Sequence, residues 1–322
     1  MEESETGLAL PARVIPVPKS ISPQAQAFLS NAAKRIAAMG AGAPARDQNQ
    51  AAEAALQMLR PRAAGFKGTA ETIELPHGAK LYRITPEGRS GKRAEVAYFD
   101  IHGGGFTAGG GEMCLVLAKL RASDLGVEVY AVDYRLAPDN PYPAGLDDCV
   151  AAYREVLKHV ASKNLVVAGS SAGGNLAAAL LLRARDEGLP MPAGLLLLTP
   201  SVDMTGTGDT HETNRFLDVS LYGGGGNGPS SYAGKADVTH PYLSPVYGTF
   251  TKAWPPTLLS SGTRDLLLSD TVRMHRALRR AGIAAELHVT EAGPHGGFMG
   301  TAPEDQELLA ECKRFCGEAW GL

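Results

Sequence analysis

Hydrophobic positions along this chain follow two alternating periods. Short apolar runs rich in Val, Ile, Leu and aromatic residues predict strands at 71–75, 80–84, 95–101, 127–133, 164–168, 194–199, 257–261 and 285–290. The first two are separated only by Pro76-His77-Gly78, a turn-forming link that makes them a hairpin, with His77 in the turn. Between the later runs, apolar residues recur at helical spacing, predicting helices at 112–125, 144–160, 175–187, 269–281 and 303–318. Strands alternating with helices imply a mostly parallel sheet covered on both faces, with right-handed crossovers, so the class is α/β.

Two stretches break the alternation. The first precedes any strand. Pro11, Pro16 and Pro18 make residues 1–19 an extended arm, and Ser22-Pro23 caps a helix carrying Phe28, Leu29, Ile36 and Met39. Residues 40–44 break it, and a second helix from Asp47 to Leu59 is expected to stop at Pro61. The second stretch, 201–254, is too long for an ordinary connection and holds possible short helices at 213–221 and 230–236. Between these lies Gly223-Gly224-Gly225-Gly226-Asn227-Gly228. No strand leads into this run and no Lys-Ser/Thr follows, so it reads as a flexible hinge or disordered loop rather than a phosphate cradle. The expected division is an N-terminal arm and cap helices at 1–65, a catalytic domain at 66–200 and 255–322, and a cap insertion at 201–254.

Composition narrows the class of protein. With 44% apolar and 20% charged residues, a chain of 322 residues is a globular domain, not a disordered one. A net charge of −3 gives no electrostatic case for nucleic acid or an anionic membrane. Met1-Glu2-Glu3-Ser4-Glu5 lacks the basic-then-apolar pattern of a secretory leader, and no apolar run reaches membrane-spanning length. Cys114, Cys149, Cys312 and Cys316 form no Cys-x-x-Cys and read as small buried residues with free thiols, which favours a cytoplasmic location.

Chemistry concentrates at Gly169-Ser170-Ser171-Ala172-Gly173, a Gly-x-Ser-x-Gly between a predicted strand and helix. A turn this sharp displays a serine hydroxyl at a sheet tip beside a helix N-terminus, and the glycine spacing favours Ser171 over Ser170. A serine needs a base and the base a carboxylate. Among eight histidines, His295 lies in the loop Ala292-Gly293-Pro294-His295-Gly296-Gly297-Phe298, just after the last predicted strand. Asp265 follows the strand at 257–261 directly; Asp270 reads better in the start of the next helix, and Asp203, after an earlier strand, is the fallback. The glycine loop Ile101-His102-Gly103-Gly104-Gly105-Phe106, together with the N–H of Ala172, would meet an oxyanion's need for backbone donors. His102 has no second ligand at metal spacing, so it reads as holding this loop; no metal or other cofactor is expected.

These motifs, with Asp133-Tyr134-Arg135-Leu136-Ala137-Pro138 and Pro141-Tyr142-Pro143-Ala144, resemble the hormone-sensitive-lipase-like (bacterial family IV) esterases of the α/β-hydrolase superfamily over residues 70–318. The resemblance implies an α/β-hydrolase fold: an eight-stranded sheet flanked by helices, and a helical cap built from the N-terminus and the insertion after the sixth strand. It implies hydrolysis of short-to-medium acyl esters by a triad of Ser171, Asp265 and His295, with Gly104, Gly105 and Ala172 donating to the oxyanion. Lactones or amides suit the same triad. A non-catalytic small-molecule receptor on this fold, as in the plant gibberellin receptor, lacks the triad histidine, which His295 here supplies. Three departures stand out: Ser170 where the family commonly has Asp, Leu266 where it has a small residue or Pro, and Gly296-Gly297-Phe298 where Gly-Phe directly follows the histidine. Phe28, Phe216, Tyr222, Tyr232, Tyr242 and Trp254 could wall a substrate pocket or form cap core. A homodimer through an edge strand or terminal helix is compatible with the pattern.

Overall fold

The computed structural model describes residues 7, 8, 10–39, 48–226 and 228–322. The acidic first residues, the break at 40–44, the expected helix start at Asp47 and Asn227 lie outside them. Eight strands form one sheet in the order β1-β2-β4-β3-β5-β6-β7-β8. They are β1 (Gly68–Glu74), β2 (Lys80–Pro86), β3 (Ala97–Ile101), β4 (Glu128–Asp133), β5 (Leu165–Ser170), β6 (Gly194–Leu198), β7 (Thr257–Gly262) and β8 (Ala285–Thr290). β1 and β2 form the expected antiparallel hairpin, β2 runs antiparallel to β4, and all remaining pairs are parallel. β5, which carries the Gly-x-Ser-x-Gly turn, sits between β3 and β6, so its C-terminal end opens at the centre of the sheet.

Alternation along the strands builds two cores. Ala97, Phe99 and Ile101 of β3 and Leu165 and Val167 of β5 face one side. That side is covered by α4 (Ala144–Val156), α5 (Ala172–Asp186) and α8 (Leu268–Arg280). Tyr98, Val166 and Ala168 face the other side, under α3 (Glu112–Leu125) and α9 (Pro303–Trp320). α5 is apolar nearly all round because it is buried nearly all round. All four cysteines are buried free thiols, as the composition predicts, and burial pushes Cys312 up to about 11. Among the described residues no helix is long and apolar enough to cross a membrane.

The elements outside the alternation are fastened to this frame. α1 (Pro23–Met39) places Ala25 and Leu29 against Ala292, Phe298 and Ala302, and Ser22 caps it while donating to Glu304 at 2.8 Å. α2 (Gln48–Ala63) packs Leu56 and Ala63 on Val116 of α3. It does not stop at Pro61. That proline falls in the last turn, where its missing N–H removes a single bond, and Ala64 N–H still reaches the Arg60 carbonyl at 3.0 Å. α4 is shorter than expected, ending at Val156 and continuing only as turns to Val160.

Residues 201–254 differ more from expectation. A single turn, α6 (Thr210–Thr213), replaces the helix at 213–221, and α7 (Gly228–Ala233) replaces that at 230–236. The reason is local: the Asp218 carboxylate captures the N–H groups of Ser220 and Leu221, which a helix would have used. Gly223 to Gly226 form a turn. All four have positive φ, and Gly223 N–H donates to Arg215 at 2.8 Å. The insertion is built into the main core through Tyr232, Leu243 and Trp254. The fastening is polar as well: Asn175, fully buried in the first turn of α5, donates to the carbonyls of Ser201 and Leu243, both at 2.7 Å. Truncating it strands two buried carbonyls. Asn175→Ala should therefore lower the unfolding free energy by about 2–5 kcal/mol, read from urea denaturation; a loss below about 1 kcal/mol would show that the clamp contributes little.

Candidate active site

Ser171 is the residue between β5 and α5, with φ 55° and ψ −119°. That backbone is costly for a residue with a side chain and is kept only where surroundings impose it. Here two close approaches impose it. A methyl group at 169 would lie 2.0 Å from the Gly173 carbonyl oxygen, and one at 173 would lie 2.0 Å from that of Ile101. Glycine at both positions lets strand, helix and the neighbouring β3 end meet.

The structure brings Ser171, His295 and Asp265 into one hydrogen-bonded chain. Asp265 Oδ1 lies 3.1 Å from His295 Nδ1, and His295 Nε2 lies 2.9 Å from Ser171 Oγ. A carboxylate only accepts, so the ring proton sits on Nδ1 and Nε2 is left to accept from the serine hydroxyl. Asp265 leaves the end of β7, and His295 sits in the loop after β8, the adjacent strand. These ends cross closely: a methyl group at Gly262 would lie 2.0 Å from the Gly293 carbonyl oxygen. Asp265 is fully buried and also accepts from Ser261 Oγ at 2.7 Å and Leu267 N–H at 2.9 Å.

A second carboxylate completes this patch. Asp218, from the insertion and fully buried, accepts from Leu266 N–H at 2.8 Å, Ser220 N–H at 2.8 Å and Leu221 N–H at 3.1 Å. Both its oxygens lie 3.3 Å from His295 N–H. It thus ties the residue after the acid to the histidine itself. Burial pushes the Asp218 carboxyl up, with Asp265 adding to this and His295 opposing it. For His295, burial acts to lower the imidazole, but Asp265, then Asp218 and Asp270, outweigh it, and the net direction is upward. Asn214 supports the same loop by donating to the carbonyls of Thr263 and Asp265. Neither Asp218 nor Asn214 stands in a motif, and their one sequence signal is polarity inside an otherwise featureless insertion.

The other carboxylates weighed in the sequence go elsewhere. Asp270, in the first turn of α8, meets His211 at 3.0 Å. Asp203 pairs with Arg273 and accepts from Thr205. The glycine loop lies beside the serine. Gly104 and Gly105 have φ of 113° and 59°, and among the described residues nothing accepts from the N–H groups of Gly104, Gly105 or Ala172. His102 is buried, stacks on Tyr134 at 4.2 Å and donates from Nδ1 to the Gly103 carbonyl at 2.7 Å; burial lowers it, so it stays a neutral brace. Phe106 stacks on Tyr232 at 4.2 Å, which pins the loop to the insertion. Tyr232 and Trp254 are therefore core, while Phe216 is 68% exposed. Among the described residues one group of ligand-type side chains could share a metal ion, Glu286, His288 and Glu311, but Arg314 already pairs with both glutamates.

Residues 98–299 match a family model described as alpha/beta hydrolase fold. An acetyl-hydrolase from Streptomyces hygroscopicus is 33% identical over 56% of this chain and 61% of its own length. Esterase LipI from Mycobacterium tuberculosis is 32% identical over 72% of this chain and 75% of its own. The crystal structure of an esterase, E25, superposes with a TM-score of 0.84 at 31% identity, covering 97% of this chain and 98% of that one. An esterase of the bacterial hormone-sensitive lipase family superposes with a TM-score of 0.79 at 28% identity, covering 93% and 99%. An eight-stranded sheet with an antiparallel hairpin at one edge, a serine on a strained strand-to-helix turn and these relatives agree. The chain belongs to the alpha/beta hydrolase fold family, and within it to the carboxylic ester hydrolases that resemble hormone-sensitive lipase.

Proposed function

We propose that the chain is a serine carboxylesterase acting on short-to-medium acyl esters through an acyl-enzyme. Ser171 is the nucleophile, His295 the general base and acid, and Asp265 the group that orients it. Gly104, Gly105 and Ala172 supply the oxyanion donors. The observation that carries this reading is the continuous chain from Asp265 through both ring nitrogens of His295 to the Ser171 hydroxyl. The short acyl range draws support from the relative named acetyl-hydrolase. We read residues 1–65 and 201–254 as the cap over the site.

In the first step His295 Nε2 takes the Ser171 proton as Oγ attacks the ester carbonyl. The buried Asp265 carboxylate stabilises the imidazolium that forms. Backbone N–H groups with no other acceptor meet the new oxyanion, at a helix N-terminus whose dipole favours negative charge. The imidazolium then protonates the leaving alcohol, and the acyl group remains on Ser171. Water, deprotonated by the same nitrogen, releases the acid. No step draws on a metal or organic cofactor. Lactones and amides would follow the same route.

Ser171→Ala should lower kcat on p-nitrophenyl esters by about 10³-fold or more, and a panel of increasing acyl length should show a maximum at short to medium chains. An unchanged rate would place the nucleophile elsewhere. His295 must be neutral to act as base, and its surroundings raise it. The acid limb of kcat/KM should therefore fall above the ordinary imidazole value of about 6.5; a rate flat from alkaline to mildly acidic pH contradicts the assignment. Asp218→Asn removes a negative charge beside the ring and turns an acceptor into a donor facing N–H groups. It should reduce kcat by about 10–100-fold, since small misplacements cost that much, and move the acid limb to lower pH. A purely structural role would leave the limb where it is.

A further inference from the structure

Ser170 has no part in the chemistry above, yet it lines a cavity of about 300 Å³ on the opposite side of the nucleophile turn. The volume lies at the lower end of small-molecule sites. Among the described residues neither Ser171, Asp265 nor His295 lines it, although Gly296 and Gly297, next to His295, do. Strand register explains its polar wall. Ser170, Leu198 and Ser260 stand opposite one another on β5, β6 and β7, so all three face the α3 and α9 side. Thr199 follows at the end of β6 with φ 45°, a backbone that costs free energy without a side-chain reason. Hydroxyls at the carboxyl ends of neighbouring parallel strands are where open α/β sheets hold ligands.

The hydroxyl oxygens of Thr199 and Ser260 are buried without a hydrogen-bond partner, and the two residues are only 6% and 1% exposed. Facing them from α3 is Arg121, whose Nε is likewise buried and unpartnered. Negative charge reaches Arg121 only through space, from Asp100 and Asp124. Burial pushes the Asp100 carboxyl up, which weakens that compensation. The other acid in the wall, Asp305, is occupied by the N–H groups of Phe298 and Ala302. A guanidinium N–H buried without an acceptor is costly, as is a buried hydroxyl without a partner. Leu117, Leu120, Leu308 and Leu309 from the two helices supply apolar lining, and Arg62, Asp124 and Gln306 add polar groups to the wall.

We propose that this cavity is a second ligand site, which takes a small carboxylate with an apolar tail. The carboxylate sits between the Arg121 guanidinium and the hydroxyls of Ser170, Thr199 and Ser260; the tail lies among the leucines. This is the class of acid that the proposed esterase releases, a correspondence that rests on that reading, whereas the site itself does not.

The test is calorimetric titration of sodium octanoate into the Ser171→Ala protein, where turnover plays no part, with octan-1-ol as the neutral control. Adding Arg121→Met should weaken octanoate binding about tenfold or more, the loss expected for a charge-assisted contact, and leave octan-1-ol within about twofold. Equal octanoate affinity with and without Arg121, or no saturable octanoate binding, overturns the proposal. Should Arg121→Met fail to fold by circular dichroism, Ser170→Asp on the same background puts a carboxylate in the opposite wall. It should produce the same selective loss, and unchanged octanoate affinity there overturns the proposal equally. Failure of ester hydrolysis would show separately, in the Ser171→Ala comparison on p-nitrophenyl esters.

Discussion

An imidazole can relay a proton only if both its nitrogens are placed at once, and here that placement depends on carboxylates held inside the protein. Asp265 is wholly buried, and its oxygens accept from His295 Nδ1–H, Ser261 O–H and Leu267 N–H. Asp218 accepts from backbone N–H groups alone, and these only partly offset the upward push of burial on its carboxyl. Two carboxylates in one buried patch repel, and His295 meets both, Asp265 with its ring and Asp218 with its backbone N–H. The cost of burying the acids is thus returned as a pull toward the imidazolium form, the form an acyl-transfer step creates. A single solvated acid could orient the ring but would do little to favour its charge.

The frame that makes this possible is one of close approach. Glycines at 169 and 173 let the β5–α5 turn sit against the end of β3, and those at 262 and 293 let the loops that carry Asp265 and His295 cross. The insertion is fastened to the same frame. It is no loose lid: Asn175 clamps it to α5, Tyr232 stacks on the glycine loop, and Asp218 reaches into the acid–base patch. Any motion of residues 201–254 must therefore disturb the histidine loop, the acid loop and the glycine loop together. That coupling gives the insertion a direct mechanical hold on the proposed chemistry.

Much of this was legible in the sequence, for a physical reason. Parallel strands buried on both faces read as apolar runs, and the glycines sit where no side chain fits, so the strands, the nucleophile turn and the glycine loop could be found from local pattern. His295 and Asp265 were reachable because each follows a strand end. What stayed hidden depends on contacts between distant segments. Asp218 looks like any polar residue until the chain folds Leu266 and His295 onto it. Its capture of Ser220 and Leu221 is also why the helical pattern at 213–221 does not become a helix. Pro61 misled in the other direction, since a proline in a final turn removes little that the helix still needs.

The adjacent serines show how far one residue's position in a strand decides its role. Ser170 ends β5 in regular register and so faces the α3 and α9 side with Leu198 and Ser260. Ser171, one residue on, leaves the strand through a positive φ and turns to the histidine. A carboxylate at 170, as is common in the resembling family, would face Arg121 across the same cavity and could neutralise it from within the protein. Serine brings a hydroxyl and no charge, so the guanidinium across the cavity keeps its attraction for an outside anion. The same substitution adds a hydroxyl to a row in which those of Thr199 and Ser260 already lack partners. A protein that merely lost the acid would gain from filling this space with apolar side chains. An arginine whose Nε is buried and unpaired, facing unpaired hydroxyls, makes physical sense when something from solution completes the set.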